Sequence, residues 1–295
     1  MCPKLRHGLY YLRPSEIAEQ FYCEYKVHLK RLHPSVRIEL PALEHGEKGH
    51  EILSGAAAPI APAEVEQAID AGKALAMCEW NMEGQFQDVL IRGRPDFFAF
   101  EGKNAILLLD FKFSRAKTPF RNHTVQAEVY GLLAQSMGFS TEQLCLGIVL
   151  LSPAEPANAL QLAPSAKDAL LSTFHDGGTL DEIYALCKQE AKRLVTSGIE
   201  DKKIESRSWT AHLFRYDQRR IERDLGWALQ YWLSQREPIP EKNYPKKCMA
   251  CPLNQMRLCD KALQEPDSDF SRFKAAMSLP SSTGIVQPAP SGDRK

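Results

Sequence analysis

The spacing of apolar positions changes several times along the chain, and each change predicts an element. Residues 14–32 carry Ile17, Phe21, Val27 and Leu32 at roughly helical spacing behind Pro14 and Ser15. One or two short helices are expected there, with Ser15 as N-cap and Cys23 within them. Residues 42–54 also read as helical, the Pro- and Ala-rich stretch 55–63 breaks the pattern, and an amphipathic helix is expected over 64–80. From Phe86 to Ser114 the period falls to that of strands. Three are expected, the last two (96–101 and 105–113) joined by a turn at 101–104. Val125, Val129, Leu132 and Leu133 mark a helix over 120–137, and a strand follows at 145–152. Two helices around Gly177 and Gly178 within 163–196, a strand at 208–216 and a helix at 217–236 complete the pattern. The Ser-, Pro- and Ala-rich sequence beyond about residue 266 reads as a disordered tail.

A helix lying between strands implies an α/β fold with a central mixed sheet flanked by helices. The run Ala105–Leu109 suits a strand buried on both faces. A length of 295 residues with 44% hydrophobic content supports one main domain. Lys and Arg number 37, as do Asp and Glu, so any contact with nucleic acid must rest on local patches and not on a global basic field. The first residues lack the apolar core of a signal peptide, and no stretch approaches the roughly 20 apolar residues of a membrane span. A cytoplasmic protein without a membrane partner is therefore expected. Eight cysteines in a reducing compartment are not expected to form disulfides, which makes their grouping more informative than their number.

The densest chemistry is Gly93-Arg94-Pro95-Asp96, then thirteen residues, then Asp110-Phe111-Lys112. On paired antiparallel strands Asp96 and Asp110 can lie at the same end of a hairpin, and strand alternation puts Asp110 and Lys112 on one face with Phe111 on the other. Two carboxylates are natural oxygen ligands for Mg²⁺ or Mn²⁺, which phosphodiester hydrolysis uses to polarise the phosphoryl group and activate water. A neighbouring lysine can orient that water and offset developing negative charge. Gln126 and Tyr130, four residues apart, share one face of the following helix and offer an amide and a phenol.

A second constellation is Cys248-x2-Cys251-x7-Cys259, with Pro252 after the middle cysteine. A C-x2-C turn lets two sulfurs reach one centre, and with a fourth thiolate such a set suits either a 4Fe-4S cluster or structural zinc; spacing alone does not separate them. Cys2, Cys78, Cys145 and Cys187 are scattered and read as ordinary thiols. Basic residues mixed with aromatics occur at 25–31, 115–121 and 215–220. Arg115 and Lys117 are the foremost candidates to touch phosphates, because they directly follow the acidic strand, and Arg121 is a further candidate in the same run.

These motifs resemble the RecB-type branch of the PD-(D/E)XK nucleases. GRPDFF and LLLDFKFS match its second and third motifs, Gly46-x-x-x-His50-x-x-Leu53 resembles its histidine-bearing helix, and Gln126-x-x-x-Tyr130 resembles the helix after the sheet. The resemblance implies a restriction-endonuclease-like core in which Asp96, Asp110, Lys112, Gln126 and Tyr130 form the catalytic set. His50, Asp96, Asp110 and the backbone carbonyl of Phe111 would hold the metal, an imidazole ligand favouring Mn²⁺ over Mg²⁺. Members of this branch clasp an iron–sulfur cluster with one cysteine before the core and three after it, so Cys23 would join Cys248, Cys251 and Cys259. The gap before Cys259 is longer than similar proteins usually have. The implied layout is N-terminal helices at 1–45, a nuclease core at 46–236, a cysteine-rich segment at 237–265 that completes a helical iron–sulfur subdomain with the N-terminal helices, and a tail at 266–295.

Similar proteins include CRISPR-associated exonucleases that trim DNA before spacer integration and nuclease domains of helicase–nuclease repair complexes. The implied substrate is single-stranded DNA cut from an end, with a CRISPR integrase complex or a helicase as partner. The alternative is an iron–sulfur DNA-binding subunit whose nuclease site is vestigial.

Overall fold

The apolar run Ala105–Leu109 lies within the longest strand of a six-stranded sheet. The computed structural model describes residues 3–36, 60–114, 116–151, 180–206 and 209–263. In chain order its first elements are α1 (Pro14–Leu32), α2 (Pro62–Asp70), β1 (Ala74–Cys78), β2 (Met82–Phe86), β3 (Val89–Gly93), β4 (Phe97–Glu101) and β5 (Asn104–Phe113). There follow α3 (Arg121–Ser136), β6 (Cys145–Leu151), α4 (Leu180–Ser197), β7 (Asp201–Glu205), β8 (Trp209–Arg215) and α5 (Gln218–Trp232). Two short helices, α6 (Pro245–Met249) and α7 (Pro252–Gln255), end the described chain. Compact units cover Met1–Glu241 and Lys242–Lys295.

The sheet order is β1-β4-β5-β6-β8-β7, and β2 pairs with β3 as a separate hairpin. The β5–β6 pair is parallel and the other neighbours are antiparallel, so the sheet is mixed and helices flank it, as expected. Parallel pairing needs a crossover, which α3 supplies. Alternation divides the sheet's side chains between two cores. Leu108, Leu146, Ile148 and Leu150 join a cluster with residues of α1, α3 and α5. Leu107, Leu109, Phe111 and Val149 pack on the other face with Ile183, Cys187, Ala191 and Leu194 of α4, whose spacing forms one helical stripe. Each fully buried Leu or Phe contributes about 1.5–3 kcal/mol, so both faces of β5 hold it in place.

The α1 segment is broken at Cys23, whose φ of −167° and ψ of 108° are extended. It folds back on itself: Arg31 pairs with Glu16, and Glu19 accepts from Lys30 at 3.0–3.1 Å. Along a straight helix, residues 16 and 31 would stand about 22 Å apart. A buried network anchors the segment to α5: Gln20 donates to Glu24 at 2.8 Å, Trp232 donates to Gln20 at 2.6 Å, and Arg236 pairs with Glu24.

Several expectations need correction. The cap of α1 is Arg13, not Ser15; Pro14 suits the first helical position, and Glu16 accepts the Arg13 N–H at 2.9 Å. The helix expected over 64–80 ends at Asp70, Gly72 turns the chain with φ of 65°, and Ala74–Cys78 becomes a strand paired with β4. Strands β2 and β7 were not foreseen. The segment 42–54, the Gly177–Gly178 turn and the tail beyond 266 lie outside the described residues. Among the described residues no helix is long and apolar enough to cross a membrane.

Candidate active site

Pairing of β4 with β5 stops at Phe97 opposite Leu109, so the last four residues of β5 run on beyond the β4 ladder. Asp96, immediately before β4, fills part of the gap: its Oδ2 accepts the Phe111 backbone N–H at 2.6 Å. The carbonyl of a strand residue leaves on the same edge as its N–H, so the Phe111 carbonyl also faces the Asp96 side. Asp110 and Lys112 point to the α3 face, whereas Phe111 is buried in the α4 core. Asp110 is 1% exposed, and the Lys112 ammonium lies 3.0 Å from its Oδ1 and 2.9 Å from its Oδ2. From α3, Gln126 Oε1 accepts from Lys112 at 3.1 Å.

Tyr130, one helical turn further along α3, donates its hydroxyl to the Arg94 carbonyl at 2.8 Å and so holds the segment that carries Asp96. Gly93 makes that approach possible. A Cβ there would stand 2.7 Å from the Pro14 ring and 2.9 Å from the Tyr130 ring. Asp96, Asp110, Lys112, Gln126 and Tyr130 are thus assembled in one place.

The electrostatics follow from that packing. Burial works against the charged form of Lys112, but Asp110 and then Asp96 outweigh it and raise its pKa. Burial, reinforced by Asp110 and Asp96, pushes the Tyr130 phenol upward, so it stays a neutral donor. His123, not singled out from the sequence, also belongs here. It precedes Gln126 and Tyr130 by three and seven residues, completing one stripe of α3. Burial, and then the charge of Lys112, hold His123 down to about 4, leaving a neutral imidazole beside the lysine. The i, i+3, i+7 spacing was the available signal.

His50 and Arg115 lie outside the described residues. Lys117 is exposed, and its backbone carbonyl is 3.0 Å from His212 Nε2. The Arg121 guanidinium turns toward Asp224 and Glu128. Among the described residues no group of three His, Cys, Asp or Glu side chains is arranged to hold a metal ion. Even so, Asp96, Asp110 and the Phe111 carbonyl are all oxygen donors, and two carboxylates against one ammonium leave a net negative charge, which fits a hard divalent cation.

Of the cysteines, Cys23 sits at the break in α1. Cys248 is buried in α6, Cys251 caps α7, and Cys259 follows. A tight turn joins the first pair of the C-x2-C: the Cys251 N–H donates to the Cys248 carbonyl at 3.1 Å, and Asn254 Nδ2 donates to the same carbonyl at 3.0 Å. That geometry fits two sulfurs serving one centre. In contrast, burial pushes Cys78 and Cys145 up to about 11 and Cys187 up to about 12, which makes them poor thiolate ligands. No protein-family model matches the chain, and no curated protein is significantly similar to it.

Proposed function

We propose that the chain is a metal-dependent DNA nuclease with a RecB-type PD-(D/E)XK core. The observation that carries this reading is the convergence of Asp96, Asp110 and Lys112 where β4 ceases to pair with β5, with Gln126 and Tyr130 closing over them. A Mn²⁺ or Mg²⁺ ion held by the two carboxylates and the Phe111 carbonyl would supply Lewis-acid polarisation and lower the pKa of water. Lys112, kept charged by its neighbours and aimed by Gln126, offsets negative charge developing on the phosphoryl oxygens. Tyr130 fixes the 94–96 segment and thereby the position of Asp96. The preferred substrate is a single-stranded DNA end, with a CRISPR integrase complex or a helicase as the larger assembly; that part rests on the resemblance alone.

The cysteine set supports a second element of the proposal. Cys248, Cys251 and Cys259 would hold a 4Fe-4S cluster with Cys23 as the fourth ligand, and zinc is the competing occupant. Metal binding by residues far apart in sequence contributes folding free energy.

The test is cleavage of end-labelled single-stranded and duplex DNA by anaerobically purified protein in Mn²⁺ or Mg²⁺, compared with Asp110→Ala and Lys112→Ala. Metal-dependent degradation lost in both variants supports the nuclease. Binding without cleavage, the same in wild type and variants, replaces it with a DNA-binding subunit.

A further inference from the structure

One stripe of α3, His123, Gln126 and Tyr130, faces the carboxylate site, while an almost opposite stripe, Arg121, Thr124 and Glu128, faces elsewhere. The first turn of that second stripe borders a cleft of about 280 Å³ between α3, the β7–β8 edge and the start of α5. Three permanent cations on the α3 face (Arg121, Lys203 and Arg220) and His212 line it, against the single carboxylate of Asp201; Lys202 borders it from the alternate position of β7. Beneath, Glu128 is 0% exposed and pairs with both arginines, holding their guanidiniums at the cleft. Arg121 is shared with Asp224, and Lys203 with Glu205. Lysines on an edge strand often serve to block unwanted pairing, and β7 is such an edge. Edge protection does not account for two arginines from different helices converging on one buried carboxylate. Guanidinium forks match phosphate oxygens, and the N-terminus of a 16-residue helix favours an anion.

Register places the cleft relative to the carboxylates. Asp110 pairs with Ile148, Ile148 with His212, and His212 with Lys203, so all four share one face of the sheet. At an inter-strand spacing of about 4.8 Å, His212 lies about 10 Å and Lys203 about 14 Å from Asp110. Ile148 is buried, so a ligand spanning the two places must pass over the first turn of α3 and the 116–120 segment, whose Lys117 carbonyl contacts His212. At about 3.4 Å per nucleotide along one strand of a duplex, and more when extended, that distance is about four nucleotides or fewer.

We propose that this cleft binds a phosphate of the nucleic-acid strand being cut, either an internal phosphodiester or a terminal phosphate. The assignment rests on the nuclease reading of Asp96, Asp110 and Lys112.

The experiment measures binding of 3′-fluorescein-labelled single-stranded DNA, with a 5′-phosphate or a 5′-hydroxyl, by fluorescence anisotropy in EDTA across a salt series. The full chain is compared with Lys202→Glu/Lys203→Glu. Both lysines are exposed, and thermal melting checks that the double variant stays folded. The double variant is expected to bind about tenfold more weakly, with a log–log salt slope shallower by about one. A wild-type preference for the 5′-phosphate that vanishes in the double variant assigns the cleft to a terminal phosphate. Equal affinity for both ends, with the lysine effect retained, assigns it to an internal one. Unchanged affinity and salt slope in the double variant overturn the proposal. The two readings fail separately: lysine-dependent binding by a wild type that never cuts removes the nuclease, whereas a wild type that cuts and a double variant that binds and cuts normally remove the cleft.

Discussion

Lys112→Met should expose how far the site depends on one charge. The Asp110 carboxylate is 1% exposed and has the Lys112 ammonium within 3.0 Å of both oxygens. Methionine keeps most of the side-chain volume but leaves a buried carboxylate without that counter-charge. Breaking a fully buried pair in this way costs about 3–5 kcal/mol. The Lys112 side chain is 20% exposed, and solvent screening reduces the figure to about 2–3 kcal/mol. For a domain of this size that lowers Tm by about 5–10 °C in EDTA. A divalent cation at about 100 times its Kd stabilises the folded state by about 2.7 kcal/mol, so Mn²⁺ should restore most of the loss. Asp110→Asn/Lys112→Met, which removes both charges, should recover part of the stability in EDTA and respond little to Mn²⁺. The assays are thermal and urea unfolding with and without metal, alongside DNA cleavage, in which Lys112→Met should be slower by about 10²–10³-fold. A Lys112→Met that unfolds like wild type in EDTA, or Mn²⁺ that stabilises the double variant as much as wild type, would show that the Asp110–Lys112 pair does not govern the site in this way.

Tyr130→Phe loses the hydroxyl that donates to the Arg94 carbonyl and also bonds with Gln126; a stability loss of about 1 kcal/mol is expected, with a larger proportional fall in cleavage because Asp96 is less firmly placed. Gly93→Ala drives a methyl group into Pro14 and Tyr130, and urea unfolding should show a loss of about 1–3 kcal/mol. Burial, then the charges of His28, Arg6 and Arg31, hold His7 down to about 4. Its unfolded value is near 6.5, so the unfolded chain binds more protons between those two values. The His7 contribution is complete above about pH 6.5 and is lost as pH falls toward 4. Thermal melts at pH 7.5 and 4.5 should therefore show less acid destabilisation in His7→Gln than in wild type. Finally, Cys248→Ser/Cys251→Ser should lose the iron and acid-labile sulfide of anaerobically purified protein; zinc at one equivalent in wild type, without iron, would replace the cluster with a zinc site.

What the sequence made legible was whatever a short window could encode. Five apolar residues ending in Asp-Phe-Lys mark a buried strand with charges at its end, and Val125, Val129 and Leu133 mark the buried side of α3. Local patterns failed where the deciding contact was remote. The β2–β3 hairpin turns on Gln87 and Asp88 at φ of 50° and 63°, a conformation usually signalled by Asn or Gly. Ala74–Cys78 is built of good helix formers and becomes a strand because β4 offers it an edge. Polar Asp201–Lys203 joins β8 for the same reason. His123 gains its meaning from Lys112, which the fold brings beside it from another element. The basic cleft draws on residues near 121, 202, 212 and 220, which no window unites.

The position of the carboxylate site itself follows from an inequality of strand lengths. β5 has ten residues and β4 five, so β5 outruns its antiparallel neighbour while remaining paired with β6 through Phe113. A buried strand edge with no partner would leave backbone groups unsatisfied, at about 1–3 kcal/mol each. Asp96 relieves this by accepting the Phe111 N–H, and the Phe111 carbonyl stays directed to the same edge. The overhang thus gathers two carboxylates and a carbonyl at one point, held from behind by the Phe111 ring and the α4 core. Lengthening β4 by a residue at its start would supply a backbone partner there and displace Asp96. The motif's Pro95 lacks an N–H to extend the ladder, and Tyr130 holds the preceding carbonyl away from it.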